Sequence, residues 1–106
     1  MIAPIGTILL ELKERLAVVF GDQLVAVRLF GSYARGEERV DSDIDVLVLV
    51  RQIDDYGELI RRTSAAVADI SLRHDVVISR TFAVDEEYRQ RQIPFFMNVR
   101  SESVLV

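Results

Sequence analysis

The chain contains no cysteine and no tryptophan among its 106 residues, and only two prolines and five glycines. Without a thiol it has no disulfide framework, no zinc ribbon and no cysteine nucleophile, and nothing calls for an oxidising compartment. Apolar runs such as Val46 to Val50 fall far short of the roughly 20 residues needed to cross a bilayer. The opening Met1 to Gly6 has neither a basic leader nor a cleavage site, so a cytoplasmic protein, neither secreted nor membrane-embedded, is expected. Basic residues are outnumbered, 13 Lys plus Arg against 17 Asp plus Glu, for a formal charge of -4. A surface of that sign repels a polyanion, which disfavours bulk nucleic-acid binding but leaves room for a compact anion such as a nucleoside triphosphate. With 50% apolar and 28% charged residues the composition is that of a globular domain, and residues 1–106 are read as one.

Apolar periodicity supplies the elements. Leu9, Leu12, Leu16, Val19 and Phe20 recur at steps of three and four, which predicts an amphipathic helix capped by Thr7 and ended by Gly21. Leu24 to Phe30 alternates as a strand, with Val25, Val27 and Leu29 on one face. Ile44 to Val50 is apolar apart from Asp45 and reads as a central strand buried on both faces. Asp55 and Glu58 have the spacing of a capping box before a helix running to about Leu72. A third strand is predicted at Asp75-Val76-Val77-Ile78, a helix from Asp85, another with Pro94 in its first turn, and an edge strand at Val104 to Val106. The neighbours Phe95 and Phe96 point about 100° apart on a helix, so one ring is left over for a partner. His74 is read as an exposed loop residue.

One segment is suited to chemistry: Gly31-Ser32, ten residues, then Asp43-Ile44-Asp45. By chance this spacing arises in about one chain of this length in a thousand. Gly31, without a Cβ, lets backbone amides approach a phosphate, and the Ser32 hydroxyl adds a donor. Asp43 and Asp45 project from one face of a strand, about 6.6 Å apart along it, and together can hold a metal ion. Arg35 can meet a phosphate or pair with Glu37 or Glu38. For the first strand to end where the second begins, the two must be antiparallel. A helical crossover then returns the third strand parallel to the second and delivers Asp75 to the same place. Gly31 and Gly36 have P-loop spacing, but Glu37 and Glu38 stand where Lys and Ser or Thr would be required, and a dinucleotide fingerprint is absent.

This pattern resembles the minimal members of the DNA polymerase beta-like nucleotidyltransferase superfamily, and the likeness extends over most of the chain. It implies the polymerase beta-like fold, a mixed α/β sheet flanked by helices. It also implies that Gly31 and Ser32 hold the triphosphate, that Asp43 and Asp45 bind two magnesium ions, and that Asp75 ligates the metal activating the attacking hydroxyl; Arg35 and Ser42 are taken as further candidates for holding the nucleotide. Members resembling this chain often act as antitoxins to a small helical HEPN ribonuclease toxin, in some cases by moving AMP from ATP to a toxin tyrosine. The expected function is therefore magnesium-dependent transfer of AMP to a hydroxyl of a partner protein. Two alternatives stand beside it: an antitoxin that blocks its partner by contact alone, and an antibiotic nucleotidyltransferase subunit.

Overall fold

In the computed structural model, which describes residues 4–106, helix α1 (Ile5–Phe20) leads into strand β1 (Leu24–Phe30). A single helical turn α2 (Ser32–Arg35), strand β2 (Ile44–Val50), helix α3 (Tyr56–His74) and strand β3 (Ile78–Val84) follow. Helices α4 (Asp85–Gln90) and α5 (Pro94–Glu102) and the short strand β4 (Val104–Leu105) complete the chain. The sheet order is β3-β2-β1-β4. β1 is antiparallel to β2 and β4, while β2 and β3 run parallel, as a helical crossover requires.

The sheet has apolar residues on both faces. On one, Val27, Leu29, Ile44, Val46, Val48 and Ile78 pack with Leu12 and Leu16 of α1 and Ile70 of α3. On the other, Leu47 and Leu49 pack with Ala83, with Tyr88 of α4 and with Phe96 and Val99 of α5. β2 is thus covered on both sides, which is why it lacks polar alternation beyond Asp45. Phe96 is buried, whereas Phe95 is 38% exposed and sets its ring edge against Phe30, centroids 5.5 Å apart. That is the outcome expected for adjacent rings on one helix.

Several local expectations are corrected. α1 starts earlier than Thr7 because Ile5 and Ile8 extend its apolar stripe; Pro4 caps it, and its carbonyl accepts the Thr7 and Ile8 N–H groups at 3.0 and 3.2 Å. Val25 does not share the face of Val27, since a register irregularity between Leu24 and Ala26 turns it outward. The capping box at Asp55 does not close: both carboxylates are drawn to Arg61, Glu58 at 2.8 Å and Asp55 at 3.5 Å. His74 lies in the last turn of α3, not in an exposed loop, with Nε2 3.0 Å from Glu11 of α1.

Asp75 is the most consequential correction. β3 begins at Ile78, and Asp75 instead ends α3 in the left-handed region, φ 53° and ψ 50°, donating its N–H to the Ser71 carbonyl. Helices commonly end this way, with glycine favoured because it lacks the Cβ that crowds the next carbonyl. Asp75→Gly should therefore stabilise the fold by about 0.5–1 kcal/mol, raising Tm by a few degrees in a thermal melt. A lowered Tm would contradict the capping role.

Candidate active site

The antiparallel register sets Phe30 across from Asp45, so the turn leaving β1 and the start of β2 share one end of the sheet. Gly31 adopts φ 75° and ψ -155°. A Cβ there would lie 3.1 Å from Asp45 Cγ and 3.3 Å from its Cβ, and closer still to Oδ2. Only glycine leaves room for that carboxylate beside the turn. After it, the Ala34 and Arg35 amides both bond the Gly31 carbonyl, at 3.1 and 3.2 Å, and the Glu37 amide bonds the Ser32 carbonyl at 2.9 Å. The Ser32 and Tyr33 amides open this turn and have no acceptor within it.

Asp43 is exposed and Asp45 half-buried. Burial pushes the Asp45 carboxyl above its ordinary value, the nearby Asp43 charge pushes it further, and Arg35 opposes both. Arg35, however, spends its hydrogen bonds on Glu37 at 2.7 Å and Glu102 at 3.2 Å. Of the two partners foreseen, Glu37 is therefore taken and Glu38 is not; Glu102, 67 positions away, gave no local signal. The Ser42 hydroxyl accepts the Arg39 N–H at 2.7 Å, while the Ser42 N–H donates to the Arg39 carbonyl at 3.0 Å. Ser42 thus closes the turn that presents Asp43.

Asp75 does not join the pair through β3. It is exposed and lines, with Tyr33, Asp41, Ser42 and Val77, a cavity of about 330 Å³ beside the turn. The β3 residue across from Asp45 is Ser79. Among the described residues, no three His, Cys, Asp or Glu side chains come close enough to hold a metal ion. A cavity of similar size, about 310 Å³, lies at the opposite end of the sheet around Gln23, Asp54, Glu58 and Arg62, away from the acid pair.

The donors present fit magnesium. Asp43 and Asp45 are hard oxygen ligands, and a divalent cation would offset the burial and the Asp43 repulsion that together raise the Asp45 carboxyl. The glycine beside Oδ2 keeps the approach free of side-chain bulk.

The sequence pattern of the family described as nucleotidyltransferase domain matches residues 6–97. A Methanocaldococcus jannaschii protein, named as a candidate protein adenylyltransferase, is 39% identical over 72 residues, 68% of this chain and 72% of that one. The solved structure of a candidate minimal nucleotidyltransferase superposes with a TM-score of 0.63 at 22% identity, covering 98% of this chain and 97% of the other. A toxin-antitoxin crystallised with AMP-PNP gives 0.58 at 19% identity, covering 88% and 70%. At these identities the two structures establish likeness of fold.

Two outcomes are expected. Gly31→Ala should lose about 1–3 kcal/mol in urea denaturation, since the methyl group must displace the Asp45 carboxylate; an unchanged midpoint would contradict the close approach. The second concerns pH in metal-free buffer. A carboxyl with a raised folded pKa binds more protons when native, so its destabilising contribution grows as pH rises through the unfolded and then the folded value. Asp45→Asn should therefore melt higher than the parent at pH 7, by a margin that shrinks toward pH 4 and on adding magnesium. A variant that melts lower at pH 7 without metal would make Asp45 a structural residue.

Proposed function

Because the chain belongs to the nucleotidyltransferase domain family, we propose that it transfers AMP from ATP to a hydroxyl of a partner protein, acting as the antitoxin to a HEPN ribonuclease toxin. The observation that carries the chemical part is the Gly31 turn set directly against Asp45, which brings phosphate donors and a metal-binding carboxylate to one point. The protein acceptor is supported by the relative named as a protein adenylyltransferase, and the antitoxin role by the fold shared with the toxin-antitoxin crystallised with AMP-PNP.

In this reading Gly31 lets the turn approach the triphosphate, and the Ser32 hydroxyl and opening amides donate to its oxygens. Asp43 and Asp45 would hold magnesium, two ions in the full assembly, which when bound offsets phosphate charge and polarises the attacking and leaving oxygens. Arg35 adds positive charge near Asp45, held at a fixed angle by Glu37 and Glu102. Ser42 acts through the loop, orienting Asp43. The acceptor oxygen bonds the α-phosphorus, the bond from that phosphorus to the bridging oxygen breaks, and pyrophosphate leaves. The contact-only antitoxin is the second reading, favoured by the departure of Asp75 from the acid pair.

The test incubates the chain with magnesium, ATP and a small helical HEPN-type protein as the candidate acceptor, and reads the acceptor's intact mass. One AMP added to the partner is expected, with a loss of at least about a thousandfold in rate for the Asp43→Asn, Asp45→Asn double variant. A complex without added AMP would favour blocking by contact, and parental transfer by the double variant would overturn the catalytic reading.

A further inference from the structure

The cavity of about 330 Å³ beside the turn is walled by neighbours of the site's own residues. Tyr33 follows Ser32 directly, so one wall continues from the phosphate turn, and Asp41 and Ser42 lead into Asp43, so another continues into the acid pair. Asp75, Val76 and Val77 close the remaining side. That side is anchored at both ends: Asp75 is fixed where α3 ends at φ 53°, and the Val77 carbonyl accepts the Ile44 N–H at 2.8 Å. The lining decides which part of a nucleotide belongs there. It holds two carboxylates, Asp41 and Asp75, and no basic side chain, so phosphate is repelled and the uncharged end of the nucleotide is what can enter. Tyr33, Val76 and Val77 offer an apolar surface to a flat base, and an ionised carboxylate, which only accepts hydrogen bonds, suits the hydroxyls of a ribose. The volume is at the lower end of small-molecule pockets, roughly 300–1,000 Å³. Of the two acids, Asp41 sits in an exposed turn, whereas the backbone of Asp75 is held by the helix end.

We propose that this cavity seats the nucleoside of the donor nucleotide, with the base against Tyr33 and the ribose hydroxyls donating to Asp75, so that ribonucleotides are chosen over deoxynucleotides. This rests on the adenylyl-transfer reading and deepens it. With the triphosphate tail at the Gly31 turn and the nucleoside in the cavity, the α-phosphate falls between them, at Asp43 and Asp45. Asp75 then serves the site as a ribose ligand and not as a metal ligand, which is why it need not reach the acid pair. The competing seat for a base is Phe95, the half-exposed ring set against Phe30, the residue across from Asp45.

The test titrates the chain by calorimetry with ATP, with dideoxy-ATP, which lacks both ribose hydroxyls, and with inorganic tripolyphosphate, each with magnesium. The parent should prefer ATP over dideoxy-ATP by at least about tenfold. Asp75→Gly, which keeps the helix end, should bring the two within about twofold of each other and bind tripolyphosphate as the parent does. Tyr33→Ala should weaken ATP by about fivefold or more, again with tripolyphosphate unchanged, while Tyr33→Phe binds as the parent does. Parental ATP affinity in both Asp75→Gly and Tyr33→Ala would take the nucleoside out of the cavity and overturn the proposal, as would a loss of ATP affinity in Phe95→Ala in their place. A tenfold loss of tripolyphosphate affinity in Asp75→Gly would make Asp75 a metal ligand and overturn it too. Should Tyr33→Ala not fold, the Asp75→Gly comparison decides alone. Asp45→Asn separates the two levels: if it binds magnesium tripolyphosphate as the parent does, the metal reading beneath the proposal fails, whatever the cavity variants show.

Discussion

The structure depends on one close approach, that of the Gly31 backbone to the Asp45 carboxylate. It needs a residue without a Cβ at positive φ at the end of β1, and an antiparallel neighbour whose second position is acidic. Neither half has a use alone. A glycine at a strand end is a common turn residue, and a half-buried acid beside another acid is an electrostatic cost. Together they form a notch with donors on one wall and two carboxylates on the other.

The rest of the fold holds that notch rigid. β2 has core on both faces, with α1 and α3 packed on one side and α4 and α5 on the other, so Asp45 cannot relax by shifting its strand. Arg28 donates to Ser103 at 2.7 Å and Arg35 reaches Glu102, which ties the end of α5 to the elements around the turn. α1 and α3 are joined by Arg15 with Asp69, by Arg73 with Glu11 and by His74 with Glu11, and Arg73 also pairs with Asp69 within α3. Exposed pairs of this kind add little each. Their place at the junction of two long helices suits them to fixing alignment.

The site was legible in the sequence to the extent that it is local. Gly31-Ser32 and Asp43-Ile44-Asp45 declared themselves by spacing, and the apolar run around Asp45 identified a buried strand. The antiparallel first pair and the parallel third strand followed from asking where two ends must meet, and the sheet agrees. Asp75 was misplaced as a strand start because an acid before a run of Val and Ile reads equally as a strand start or a helix end. The choice turned on a backbone angle, φ 53°, which no side-chain pattern encodes. The partner of Arg35 was half legible: Glu37 is a neighbour, whereas Glu102 arrives through the path of α5. The capping box at Asp55 misled for a related reason, as Arg61 competes for both carboxylates one turn later.

The central claim is that Asp45 is held in a state of raised proton affinity that a divalent cation with nucleotide relieves. It is tested most directly by following the Asp45 side-chain carboxyl carbon by NMR through a pH titration, with and without magnesium and AMP-PNP. The account predicts a midpoint above that of an ordinary aspartate in the free protein, and a fall below the free-protein midpoint when both ligands are present. An ordinary midpoint that does not respond to magnesium and nucleotide would contradict it.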